Sequence, residues 1–458
     1  MPREAKIMRQ EGNTSRDGER GSVLVVVLII MAAVSAIAVG MSFMARTESA
    51  LASNDVQEKE TFYMCESAVE EAVNYLNSLG EPFRGAGANL DQPVAFVTDA
   101  AREHGSVTVY LDAKDTNSGQ ATRYVQISAR AVHQNGRAAK ALSVRVGQQN
   151  FSRYAYFSDI ELRSNGSKIW FASGDNLYGP VHTNDQFHVS GTPTFHQEAS
   201  SHSGTIDYFA GGPPADNPDF KKGVTLGAAT IPLPSDLSIL KAKSRATGGL
   251  FITGFTSKAT VDIQYNAGLN KSQLVITKDT GAAVTYDLPA NGVVYIDGMA
   301  EVKGKLQGKL TIASRGDLRI VDDIVYKTDP RTDPTSTDIL GLISEANVVM
   351  AATAANLDSG DETVMASIMA LGESFTAENY ASGSPRGKLK LYGGIIQERR
   401  GPVGTFSGST TVSGYQKAYS HDIRLVDSPP PGYPTTGIIE RIAWKQIEPS
   451  TDITANVF

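Results

Sequence analysis

The chain has 458 residues, 41% of them hydrophobic, which excludes a disordered protein and leaves room for an anchor plus two or three folded units. A formal charge of −7, with no Lys/Arg tract in the body, gives no electrostatic footprint for nucleic acid phosphates, and that partner class is discarded. The single cysteine, Cys65, excludes an internal disulfide, so packing alone must hold the body together.

From Val23 to Ala45 the chain carries no charge, and at about 1.5 Å per residue this run crosses the ~30 Å hydrocarbon core as a helix. Arg3, Lys6, Arg9, Arg16 and Arg20 precede it, so the N-terminus is expected in the cytoplasm and everything after Arg46 outside. Three readings compete. Ala50-Leu51-Ala52 offers a secretory cleavage site, but the apolar run exceeds the ~7–15 residues of a secretory core. An uncleaved anchor is the plain alternative. The third rests on the junction: a polar leader ends in Arg20-Gly21, and Ser22 opens the apolar run with no spacer.

Past the membrane, Phe62, Cys65, Val69, Ala72, Val73, Leu76 and Leu79 recur at three- and four-residue intervals, so one helix face is expected to be buried. Cys65 is read as a small buried thiol on that face, with intermolecular pairing or reactivity as the alternative. Gly80-Glu81-Pro82 should stop the helix. The junction, together with Thr47-Glu48 and FYMCESAVEEAVNYL at Phe62 to Leu76, resembles the PilX-type N-terminal family of pilin-like proteins. That resemblance implies a leader cut between Gly21 and Ser22 by a prepilin peptidase. It also implies an inner-membrane helix that packs with other pilin-like subunits on an assembly platform through Val26, Leu28, Ile29, Ile30, Ala33 and Gly40. Major pilins carry glutamate where this chain has Val26. The departure is shared with minor pilins and the large tip pseudopilin of type II secretion, which implies a minor component.

A short helix is expected from Asp91 to about Glu103. Alternating strands follow at Ser106 to Ala113, Arg123 to Val132 and Lys140 to Gly147, the last two joined by a turn at Asn135-Gly136. Beyond Phe151, LTIASRGDLRI (Leu310 to Ile320) aligns without gaps to LGLISEANVVM (Leu340 to Met350) and more weakly to SIMALGESFTA (Ser367 to Ala377). Units this short bury a face only by stacking. The fold expected is therefore α+β: a long helix with a small antiparallel sheet, then a β-rich body read as a parallel β-helix or solenoid, with a β-sandwich as the alternative. The units expected are a leader at 1–21, the helix at 22–80, the sheet at 81–150, a strand-rich insertion at 151–229, the solenoid at 230–400 and a closing tail at 401–458. PPADNPD at 213–219 should divide the insertion from the solenoid. From about Phe151 to Trp444, stretches such as GDNLYGPVHTNDQFHVSGTPTF and LKLYGGIIQERRGPVGTF resemble an uncharacterised bacterial family found behind pilin-like N-termini, which implies location and company but no reaction.

Candidate chemistry is sparse. His182, His188, His196 and His202 cluster with Asp185, but their spacing fits no ligand template. Asp322, Asp323, Asp329, Asp333 and Asp338 are expected to crowd the loop between two repeats, where calcium or plain turn chemistry are the two readings. No G-x-S-x-G or H-E-x-x-H occurs, and GKLQGKL at Gly304 to Leu310 lacks the spacing and hydroxyl of a phosphate loop. Asp322 with Asp323, or Asp358 with Asp361, could serve glycan chemistry only across a groove. Arg399, Arg400, Tyr415, Tyr419 and Arg424 form a polar and aromatic cluster, expected either to close the last solenoid edge or to meet a partner. The function expected is a non-enzymatic minor pilin or pseudopilin without cofactor, its body in the periplasm or at a pilus tip. The alternative is a membrane-tethered β-helix that binds or cleaves glycans.

Overall fold

The computed structural model describes residues 17–78, 94–114, 124–358, 360–407, 410–450 and 452–453. The leader before Asp17 and the expected stop at Gly80-Glu81-Pro82 lie outside them. Helix α1 (Asp17–Ser78) is continuous, so at about 1.5 Å per residue it measures about 93 Å. Its two halves differ as the sequence pattern does. The large apolar side chains between Val23 and Met44 are 46–69% exposed on every side, whereas Cys65, Ala68, Val69, Ala72 and Leu76 are buried along one stripe.

That stripe packs on a five-stranded antiparallel sheet. It contains β1 (Val94–Arg102), β2 (Gly105–Lys114), β3 (Tyr124–His133) and β4 (Ala139–Asn150), and Val107, Val109, Ile127, Ala129, Val144 and Val146 face the helix. The strands agree with the expected alternation, and Asn135-Gly136 makes the β3–β4 turn with Gly136 at φ +69°. The short helix expected from Asp91 is corrected: residues 94–102 form β1, paired with β2. Pairing with β2 lets Phe96 and Val97 pack on the helix–sheet core, a gain that overrides local helix propensity.

The fifth strand is the C-terminal one. Thr435–Ile447 runs antiparallel to β4, with Trp444 opposite Val144. The segment 401–458 is therefore not a single closing tail. Gly404–Ser407 and Thr410–Ser420 join the body, and the last strand returns to the first sheet.

In the body, strands pair in parallel with strands one coil away. One ladder runs in the order Leu250–Ile252, Val293–Ile296, Lys309–Ser314, Ile339–Ser344, Glu362–Ala370 and Pro385–Arg399. A second runs from Lys258–Asn266 through Met299–Leu306, Leu318–Tyr326 and Val348–Met350 to Phe375–Ala377. Leu310 sits opposite Leu340 and Ile320 opposite Met350, the 30-residue offset of the sequence repeat. The weaker repeat is shifted by one residue on its first strand, where Ser367 meets Gly341 rather than Leu340, and is in register on its second, where Phe375 meets Val348.

The order of the stack departs from the order of the chain. Pro385–Arg399 pairs onward with Tyr156–Ile160, and the ladder continues through Val181–Thr183, Ala199–Ser201 and Val224–Leu226. The chain thus enters the stack in its middle, winds to one end, crosses to the other end through residues 228–249, and winds back to meet its own first coil. The expected division at 151–229 is corrected, because Tyr156, Phe171, Val181, Phe187 and Phe195 belong to the same core as Ile312, Leu342 and Ile368. The crossing segment, with helix α2 (Ser238–Arg245), covers the outer face of the ladder. Ile231, Leu237 and Leu240 pack with Tyr295, Ile343, Met369 and Ile396. Strands such as Val293–Ile296 are consequently buried on both faces, which is why they read as unbroken apolar runs.

Candidate functional site

The residues expected to pack helices lie on the bare half of α1. Val26, Leu28, Ile29, Ile30 and Ala33 are exposed, and a Cβ at Gly40 would meet nothing within 4 Å. Gly21 and Ser22 lie within the helical backbone. One helix among the described residues is long and apolar enough to cross a membrane, and it fits membrane anchoring as in pilins. Cys65 is enclosed between the helix and β3–β4, its Sγ 3.3 Å from the Lys140 carbonyl oxygen, and burial pushes the thiol up to about 12.

Of the arginine and tyrosine cluster, Arg400 and Tyr415 are buried and Arg399, Tyr419 and Arg424 are half-buried. The Arg400 guanidinium donates to Glu161 at 2.9 Å and to the Ile169 and Trp170 carbonyl oxygens at 3.1 and 3.3 Å, and lies 3.7 Å from the Phe171 ring centroid. Arg400 and Glu161 are 5% and 0% exposed. They stitch the end of the Pro385–Arg399 strand to the end of Tyr156–Ile160, the junction that sequence order cannot foresee. Tyr415 is buried, its hydroxyl donating to the Asn356 carbonyl oxygen, and Tyr419 packs partly buried on the same core. Arg399 pairs through its backbone with Ile160.

The histidines do not converge. His182 hydrogen-bonds to Ser200 and Asn184, His188 to Asp207, His196 to Asn176, and His202 to the Ala228 carbonyl oxygen. Among the described residues, no three His, Cys, Asp or Glu side chains come together as ligands. Burial lowers the His182 pKa, and Asn184 ties it to Ile231 of the crossing segment through two hydrogen bonds. Asp322 and Asp323 lie within the strand Leu318–Tyr326, not in the loop that follows.

The loop residues do build something. Asn270 and Lys271 at a hairpin tip, Gln307 and Gly308 at the next coil's turn, and Thr328 with Asp333, Thr335, Ser336, Thr337 and Asp338 line one cleft of about 460 Å³. Its floor is pinned by Asp338, which is buried and accepts from the Gly308 and Thr328 backbone N–H at 2.7 and 3.0 Å. Behind it, Arg424 donates to the Ser336 and Asp338 carbonyl oxygens and is held by Asp422. Arg424 is therefore a support of the cleft. Asp333 accepts from the Thr335 backbone and hydroxyl, which hold its carboxyl below the usual range, and the Arg331 guanidinium does the same for Asp329. GKLQGKL is the turn that supplies Gln307 and Gly308. Sequence reasoning noticed Asp333, Asp338 and Arg424 but had no signal that three coils bring them together with Asn270 and Gln307.

Residues 20–70 match the PilX N-terminal family model, and residues 108–204 match a domain of unknown function (DUF4900). The chain thus has a pilin-like N-terminus followed by an uncharacterised domain. The second match begins in β2, earlier than Phe151, and stops well before Trp444. Among solved structures, the crystal structure of the competence-associated pilin ComZ from Thermus thermophilus is similar over 86% of this chain and 97% of that one, at 11% identity and a TM-score of 0.34. No curated protein matches the chain.

Proposed function

We propose that the chain is a minor pilin or pseudopilin-like structural component of a type IV pilus or type II secretion assembly. Its N-terminus lies in the cytoplasm and its β-rich body in the periplasm or at a pilus tip. The observation that carries this is the division of α1: one uninterrupted helix whose first half is apolar on all sides and whose second half is docked on a sheet. An apolar rod standing clear of its own globule is stable only in lipid or among like helices. In this reading prepilin peptidase cuts between Gly21 and Ser22. Val26, Leu28, Ile29, Ile30, Ala33 and Gly40 then pack against other pilin-like subunits delivered by the inner-membrane platform. The body is a solenoid of stacked coils; parallel pairing at the 30-residue offset of the sequence repeat supports that reading. No residue is assigned a catalytic role.

N-terminal sequencing of the membrane-extracted protein tests the proposal. A mature chain starting at Ser22 is the expected result. An intact Met1, or a freely soluble product starting at Ser53, would overturn it.

A further inference from the structure

We propose that the cleft between Asn270, Gln307 and the 328–338 loop binds a neutral, hydroxyl-rich ligand, a saccharide. The walls come from three neighbouring coils and are tied together before any ligand arrives. Ser272 Oγ donates to the Lys305 carbonyl oxygen and accepts from Gln307 N–H, while Asp338 and Arg424 fix the opposite wall. A volume of about 460 Å³ accommodates a ligand of one or two sugar rings.

The charges of the lining select the class. Lys271 is engaged by Asp287 at 2.8 Å, Asp338 is spent on two backbone donors, and Asp333 accepts from Thr335 through one oxygen, which leaves a single carboxylate oxygen facing the cleft's solvent side. An anionic ligand would find no free cation cluster and a metal ion no free carboxylate pair. The uncharged lining is Asn270, Gln307, Thr328, Thr335, Ser336 and Thr337; the Thr335 and Ser336 hydroxyls already donate to Asp333 and to the Thr328 carbonyl oxygen, which leaves the Asn270, Gln307, Thr328 and Thr337 side chains to meet a ligand. Among the described residues no aromatic ring lines the cleft, so affinity per ring is low, with a Kd on the order of 1 mM for a single hexose unit. This inference does not depend on how the N-terminus is processed, so either can fail alone.

The test is ligand-observed NMR and calorimetry on the full chain in detergent micelles. The probes are maltotriose, cellotriose and triacetylchitotriose, with sialyllactose and calcium chloride as charged comparisons. At least one neutral trisaccharide should bind saturably. Gln307→Leu and, separately, Thr337→Val should each weaken it about tenfold with an unchanged melting temperature, since Gln307 is held through its backbone and Thr337 is exposed. Three results would each overturn the proposal: no neutral trisaccharide binding at about ten times that Kd, binding unaffected by both variants, or calcium or sialyllactose binding that Gln307→Leu abolishes.

Discussion

Replacing Arg400 by Met should unfasten the body where the Pro385–Arg399 strand meets Tyr156–Ile160. Methionine keeps an apolar stem but removes the guanidinium that lies over Tyr156 and Phe171, and leaves the Glu161 carboxylate buried beside Ser158 and the Asp185-bound turn. Removing one partner of a buried ion pair costs about 3–5 kcal/mol, because the remaining charge stays desolvated. The guanidinium's two carbonyl contacts, to Ile169 and Trp170, are lost as well. Glu161→Gln in the same chain should recover more than half of the loss, since the neutral amide removes the stranded charge. The chain has two tryptophans, Trp170 beside Arg400 and Trp444 on the C-terminal strand. In a Trp444→Phe background, urea unfolding followed by fluorescence therefore reports the junction itself. A local probe is needed because a molecule of two packed units need not unfold in one step. A loss below about 1 kcal/mol, or an equal loss in the single and double variants, would refute the claim that this pair holds the junction.

Glu362 is held up at about 7 by burial first and then by Asp323, Asp322 and Asp358. Its folded value exceeds its unfolded one, so stability should fall as pH rises from about 4.5 to about 7 and level off above. Glu362→Gln should gain about 1–2 kcal/mol at pH 8, after allowance for screening at the solvent-facing Asp323, and nothing at pH 4; equal gains at both pH values in thermal melts would contradict this. Gly304 stands at φ +117° in a bulge, where a Cβ would lie 2.1 Å from the Ile263 carbonyl oxygen. Gly304→Ala should cost at least ~2 kcal/mol, visible as a lowered melting temperature. Cys65 should resist iodoacetamide at pH 8 in the folded chain and react fully in urea, and rapid labelling of the native protein would show that the helix–sheet contact opens.

The sequence by itself determined the elements. The uncharged run at Val23 to Ala45, the three- and four-residue spacing from Phe62 and the alternation in β2 to β4 each lie within a window of about ten to twenty residues. Each appears in the structure where the pattern put it, and the 30-residue repeat even set the register of Leu310 on Leu340. Tertiary structure decided which edges meet. Nothing in residues 156–160 announces a partner at 395–399, and nothing in Thr435 to Ile447 announces β4. Any apolar parallel strand fits beside another, and the choice falls to the arrangement that buries the most edges at once. Arg400 reads as a surface charge until Glu161, 239 residues away, is seen beside it. The cleft has the same origin: its polar residues look like ordinary turns one at a time, and only the stacking of three coils sets them facing one space.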